Sequence, residues 1–200
     1  MKYILCAVFL MIGMFSEPAN SADWRFPLGM TYISGFGDVV DITEDNLKAQ
    51  EYRIGDVSGT PIGVSFHPYV HLDSGLRVGA GLGPIAAILS AGDFSFIYSD
   101  VPINVNVGYT FFPKGNISPY LRGGLVNHIV SSEFVDQGMA VGGFAGLGVE
   151  FLRKRAVGFG MEVGYDATEL EFDDLKRDRG GNIKKSVRPY GLTINFFAVF

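Results

Sequence analysis

Cysteine is nearly absent. Cys6 is the only one in 200 residues, and it lies inside the N-terminal apolar run, so the rest of the chain has no disulfide framework and no thiolate site. Charge is scarce too: Asp, Glu, Lys and Arg make up 18%, against about a quarter in average soluble chains. The balance of 16 basic to 21 acidic residues, a formal net charge of -5, excludes the basic face that a nucleic-acid partner requires. Apolar runs long enough for a membrane helix, about 17–25 residues, are missing as well. The glycines, 27 of 200, are about twice the usual share but follow no period of three, which rules out a collagen-like chain.

What is present begins with an export signal. Lys2 supplies a positive start, Tyr3 to Phe15 form an apolar run of thirteen residues, and Ser16 to Ala22 are polar and small with Pro18 among them. This arrangement predicts a cleaved signal peptide over residues 1–22 and a barrel domain over 23–200.

From Trp24 onward the dominant signal is alternation, in eight segments. In the first, Leu28, Met30 and Tyr32 oppose Gly29 and Thr31. Ile62, Val64, Phe66 and Val70 oppose Gly63, Ser65, His67, Tyr69 and His71, and Leu76, Val78, Ala80 and Leu82 oppose Arg77, Gly79 and Gly81. The fourth sets Val101, Ile103, Val105, Val107, Tyr109 and Phe111 against Asn104, Asn106 and Gly108. The fifth and weakest has Leu121 and Leu125 opposite Tyr120, Arg122 and Gly124. Leu147, Val149 and Phe151 then oppose Gly146, Gly148 and Glu150, and Phe159, Met161, Val163 and Tyr165 oppose Gly160, Glu162 and Gly164. The last runs Tyr190, Leu192, Ile194, Phe196, Ala198 and Phe200 against Gly191, Thr193 and Asn195.

In a soluble sandwich the second face carries the long charged side chains. Here it is mostly glycine and small polar residues, which suits the crowded inside of a narrow closed barrel whose apolar face meets lipid. The fold class expected is therefore all-β, an eight-stranded antiparallel up-and-down transmembrane β-barrel. Connections alternate short and long, with long loops expected at about Val39 to Gly59, Pro84 to Tyr98, His128 to Gly138 and Asp166 to Val187. Trp24, Phe26, Phe111, Phe151 and Phe200 predict an aromatic girdle at the short turns, and Tyr98, Tyr165 and Tyr190 one at the loops. Pro68, Pro102 and Pro119 predict bulges or strand ends.

With these features the chain resembles the small eight-stranded outer-membrane β-barrels of Gram-negative bacteria, the group of opacity-type proteins and OmpA-like transmembrane barrels. The likeness rests on the signal peptide, the start Leu28-Gly29-Met30-Thr31-Tyr32, and the ending Tyr190 to Phe200. It implies that Phe200, Ala198, Phe196, Ile194 and Tyr190 form the terminal signal read by the outer-membrane assembly machinery. It also implies a monomer in the outer membrane, in contact with lipid and lipopolysaccharide.

The inward face carries few ionisable residues: Arg25, Arg77, Arg122, Glu150 and Glu162, with His67 and His71 beside them. Arg122 and Glu162 lie at similar depth, as do Arg77 and Glu150, which predicts two lumen ion pairs hydrogen-bonded to Tyr69, Tyr120, Asn104, Asn106 or Asn195. A plugged barrel with a structural or surface-interaction role follows. The alternatives are a narrow or gated porin-like channel and an adhesin acting through the long loops. No cofactor, metal or catalysis is expected. His67 and His71, four apart on one strand, lie about 13 Å apart and cannot share a metal; His128, Ser131, Ser132 and Glu133 lack the His-x-Ser spacing of the lipid A deacylase type because Val130 interrupts it.

Overall fold

The computed structural model describes residues 23–50, 56–132, 138–152, 155–173 and 184–200. The expected signal peptide, Glu133, the Arg153–Lys154 part of one short turn and the tip of the last loop lie outside the described residues. Eight antiparallel strands close into a barrel. They are β1 (Asp23–Arg25 and Pro27–Ile33), β2 (Ser58–Phe66 and Tyr69–His71), β3 (Leu76–Leu82 and Ile85–Ala91), β4 (Phe94–Thr110), β5 (Ile117–Ser131), β6 (Met139–Phe151), β7 (Gly158–Asp166) and β10 (Gly191–Val199). Between β1 and β2 lies helix α1 (Phe36–Ala49); between β7 and β10 lies a hairpin, β8 (Leu170–Asp173) with β9 (Lys184–Val187).

Each barrel strand pairs with its sequence neighbour, and the ring closes where β10 meets β1, from Thr193 opposite Ile33 to Val199 opposite Pro27. The alternation fixes which side faces out. Leu28, Met30, Ile62, Val64, Val105, Val107, Leu147 and Phe159 are all exposed, as a lipid-facing surface demands. On β4 the outward row runs from Phe111 to Val101, about 25 Å of apolar height at a strand tilt near 40°. Trp24, Phe26, Phe111, Phe151 and Phe200 are exposed at the short-turn end, with Trp24 stacked on Phe26.

The loop end departs from expectation. The segment from Val39 to Gly59, expected as a loop, contains most of α1; Pro84 to Tyr98 is a hairpin that lengthens β3 and β4; β5 continues to Ser131; and the Asp166 to Val187 stretch holds the β8–β9 hairpin. The barrel wall is consequently uneven, tall along β3 to β6 and low along β7, β10 and β1. The two inserts leave the chain over the low side, α1 after β1 and β8–β9 after β7.

Above the membrane band the inward face changes chemistry. Ile85, Ala87, Leu89 and Ala91 of β3, Tyr98 of β4, Val130 of β5 and Ala140 of β6 are buried with Phe36, Val39, Ile42 and Leu47 of α1 and Leu170, Phe172 and Val187 of the hairpin. This apolar core lies at one end of the barrel. The helix forms because its buried positions Phe36, Val39, Thr43, Asn46 and Leu47 recur at three- and four-residue spacing. Asp38 in the first turn and Lys48 in the last complement the helix dipole. Lys48 also pairs with Glu44 one turn back, an exposed contact that, with the Val57 amide, lowers the Glu44 carboxyl below its ordinary range. The Asn46 side chain donates to the Asp173 carbonyl at 2.6 Å, tying α1 to β8.

The prolines act less disruptively than their positions suggest. Pro68 falls in the break of β2, but Pro102 and Pro119 sit inside continuous strands. Pro102 instead lies opposite a break on its neighbour: its carbonyl accepts the Gly83 amide, where β3 is interrupted between Leu82 and Ile85.

Candidate functional site

The inward side chains stack in three layers. Nearest the short turns, Arg77 lies between two tyrosines, its guanidinium carbon 3.7 Å from the Tyr69 ring centre and 4.0 Å from that of Tyr120. Arg77 Nη1 donates to Glu150 Oε1 at 3.2 Å, and the Tyr69 hydroxyl contacts both Glu150 oxygens at 2.7 and 2.8 Å. Glu150 is completely buried. The cation here is held by ring faces as much as by its carboxylate.

One step deeper, Arg122 grips Glu162 with a two-point contact, Nε to Oε2 at 2.6 Å and Nη2 to Oε1 at 2.8 Å. The Tyr120 hydroxyl adds 2.9 Å to Oε2 and the Asn195 amide 3.3 Å to Oε1. Thr31 donates to Asn195 at 2.5 Å. On the facing wall Asn106 donates to Asn104 at 3.0 Å, and Asn104 meets His67 Nδ1 at 3.4 Å. The glycines of the inward face make this possible: a Cβ on Gly148 would stand 2.3 Å from the Tyr120 ring, and one on Gly81 would stand 2.0 Å from His67 Nδ1. Large polar side chains occupy the volume that the missing side chains leave.

The third layer was not legible beforehand. His128, buried at the loop end of β5, stands between two aspartates, with Nδ1 2.8 Å from Asp100 Oδ2 and Nε2 3.1 Å from Asp166 Oδ2. Its ring stacks on Tyr190 at 3.8 Å, and the Tyr190 hydroxyl meets that of Tyr98 at 3.2 Å. Asp166 Oδ1 accepts both the amide of Thr168 at 3.0 Å and its hydroxyl at 2.6 Å. Between this layer and the Arg122–Glu162 pair lies a cavity of ≈ 80 Å³ lined by Thr31, Ser65, His67, Asn104, Thr193 and Asn195 among others. That is room for several waters.

Not every expected lumen residue joins the stack. Arg25 stays at the short-turn mouth, paired with Asp23 at 2.6 Å, because it is the third residue of the strand, where the wall opens to solvent. His71 is buried beside Arg77 in register. Tyr190 was expected in the outward terminal row with Ile194, Phe196, Ala198 and Phe200, and Tyr98 in the outer girdle; both are turned inward, at 1% and 0% exposure. For Tyr190 the cause is Gly191, the first residue of β10, whose φ of +54° breaks the alternation.

Gly191→Ala places a side chain in that left-handed conformation, which costs about 1–2 kcal/mol. Denaturant unfolding in detergent is expected to show this loss, with Gly191→Asn losing less; an unchanged midpoint for both would mean that the turn relaxes freely.

Ser131 is exposed on β5, three residues from His128 and therefore on the opposite face, so these two residues do not make a nucleophile–base pair. No cluster of three side chains suited to a metal ion occurs among the described residues.

No protein-family model matches the chain, and no curated protein matches it. Its structure is similar to the crystal structure of the outer membrane protein OprG from Pseudomonas aeruginosa, with a TM-score of 0.56 and 11% identity over 90% of this chain and 95% of that one. At that identity the likeness is one of fold, a transmembrane β-barrel.

Proposed function

We propose that the protein is a monomeric barrel of a Gram-negative outer membrane, exported by its signal peptide, with an occluded lumen and a structural or surface-interaction role. It would belong with the small barrels that include the opacity-type and OmpA-like proteins, and would use Ile194, Phe196, Ala198 and Phe200 in assembly. The observation that carries the reading is the stack itself. Two ion-paired layers cross the lumen, and an apolar core containing α1 covers the loop end. An eight-stranded interior is only wide enough for side chains, so solvated ions would have to displace several of these groups at once.

The refolded chain in a planar bilayer is expected to be silent, in a sample whose gel mobility changes on boiling. Discrete, reproducible conductance steps would establish the narrow-channel alternative instead. Support for the surface role comes from the order of the loop end. Helix α1, the β8–β9 hairpin and the β3–β4 tip present exposed polar groups, and the exposed Arg188–Glu169 pair fixes the approach to β10. On this reading the exposed Lys184, Lys185 and Arg188 are the groups that would meet lipopolysaccharide phosphates.

A further inference from the structure

Two carboxylates and one imidazole make an unusual arithmetic. A neutral ring has one N–H and can donate to only one of them, leaving its other nitrogen's lone pair against the second carboxylate. With both carboxylates ionised, both contacts of His128 are satisfied as hydrogen bonds only when the ring carries two protons. What the ring then joins is the chamber's ceiling. Asp100 belongs to β4, and Tyr98, two residues before it, packs edge-on against Phe36 of α1 at 5.3 Å. Asp166 ends β7 and holds Thr168 on the way to the β8–β9 hairpin. The carbonyl of Tyr190, stacked on the ring, accepts the Gly35 amide at the start of α1.

One buried ring thus contacts β4, β7 and the approach to β10, and through them both inserts. Its facing groups complete the set. From β4 come Asp100 and, across strand register, Pro102; from β6 comes Ala140. From β7 comes Asp166, and Tyr190 precedes β10. Tyr98 lies behind Tyr190, and α1 approaches through Phe36. The cavity below is lined by His128, Asp166 and Tyr190 on this side and by His67, Arg122 and Glu162 on the other.

We propose that the Asp100–His128–Asp166 bridge is a proton-dependent latch that holds the loop-end cover closed over the lumen chamber and releases it in alkaline solution. The direction follows from the hydrogen bonds. If acid protonates an aspartate, its remaining carbonyl oxygen still accepts from the ring, and the bridge persists. If base removes a ring proton, the ring keeps one N–H for two facing oxygens, so that either Asp100 Oδ2 or Asp166 Oδ2 meets the ring's lone pair, and Thr168 compensates only the other oxygen of Asp166. Admitting water is the way to relieve it. The latch is closed while the ring holds both protons and opens as pH rises past loss of the second.

The latch rests on the occluded-lumen reading, and one experiment separates the two. In a chain with Cys6→Ser, Thr193→Cys places a thiol on the chamber wall. Its labelling by a small cationic methanethiosulfonate is followed at about pH 7 and about pH 10, corrected for thiolate fraction with a cysteine on an exposed loop. The corrected rate is expected to rise about tenfold or more with pH. Asp100→Asn with Asp166→Asn, which keeps acceptors on both sides of a neutral or charged ring, is expected to abolish the rise. His128→Gln, if folded by gel mobility, is expected to label rapidly at both pH values; should it not fold, the double asparagine variant decides alone. Equal slow labelling at both pH values overturns the latch and leaves the occluded lumen standing. Equal fast labelling overturns both, and a rise that persists in the double asparagine variant overturns the latch.

Discussion

Glu162→Leu is expected to destabilise the barrel by about 3–5 kcal/mol, because it leaves the Arg122 guanidinium buried without its partner. Arg122→Met should cost a similar amount from the other side. Together, Arg122→Met and Glu162→Leu should restore stability to within about 1 kcal/mol of the parent, since a well-packed apolar pair replaces an ion pair of similar volume at little net cost. Urea unfolding in micelles, followed by the mobility difference between folded and unfolded chains, measures all three. Additive losses in the double variant would mean that the two side chains act separately, through Tyr120 and Asn195 rather than through each other. Water in the chamber beside the pair lowers the single-variant losses and leaves the sign of the coupling unchanged. The Arg77–Glu150 layer should respond less to loss of its carboxylate, because the rings of Tyr69 and Tyr120 still sandwich the cation.

The parts of this fold that follow a period of two were legible in the chain. Alternation decides which face of each strand meets lipid, and equal distance from the short turns brings Arg122 to Glu162 and Arg77 to Glu150. The parts that fail do so where the period changes. From Phe36 to Leu47 the apolar spacing is three and four, but Asp41, Glu44, Asp45 and Lys48 are interspersed and give the stretch the composition of a solvated loop. Read at helical spacing, Phe36, Val39, Thr43, Asn46 and Leu47 would have marked α1. The row Ile85, Ala87, Leu89 and Ala91 does alternate, yet beyond Pro84 its apolar face points inward, because there the barrel has left the membrane and encloses a core like a soluble protein. Parity alone puts Tyr190 on the lipid side, and a single left-handed residue, Gly191, reverses that. In the sequence His128 stands out only beside Ser131 and Ser132, since neither Asp100 nor Asp166 is near it in the chain.

Replacing α1 by a flexible linker is expected to leave the barrel closed to ions, even though it removes Phe36, Val39, Ile42 and Leu47 from the core. The reason is that the loop-end core and the Arg77–Glu150 layer lie in series along one lumen, so the less permeable of the two limits the current. Tyr69→Ala with Arg77→Ser and Glu150→Ser opens the other end and should likewise stay silent while the α1 core is intact. Only the combination, with Arg122→Ser and Glu162→Ser added to open the layer between them, is expected to conduct, with steps that appear in planar bilayers in that variant and in neither parent. Each variant must first show the mobility shift on boiling, since loss of α1 also exposes apolar faces of β3 and β4 that could promote aggregation. Conductance from α1 replacement alone would place the whole barrier at the loop end and make the buried ion pairs a wetted wall; from the lower-layer variant alone, it would make the apolar core leaky and the charged stack the true seal. Silence in the combined variant would mean that the side chains left inside, Tyr120 and Asn195 among them, close the lumen without either ion pair.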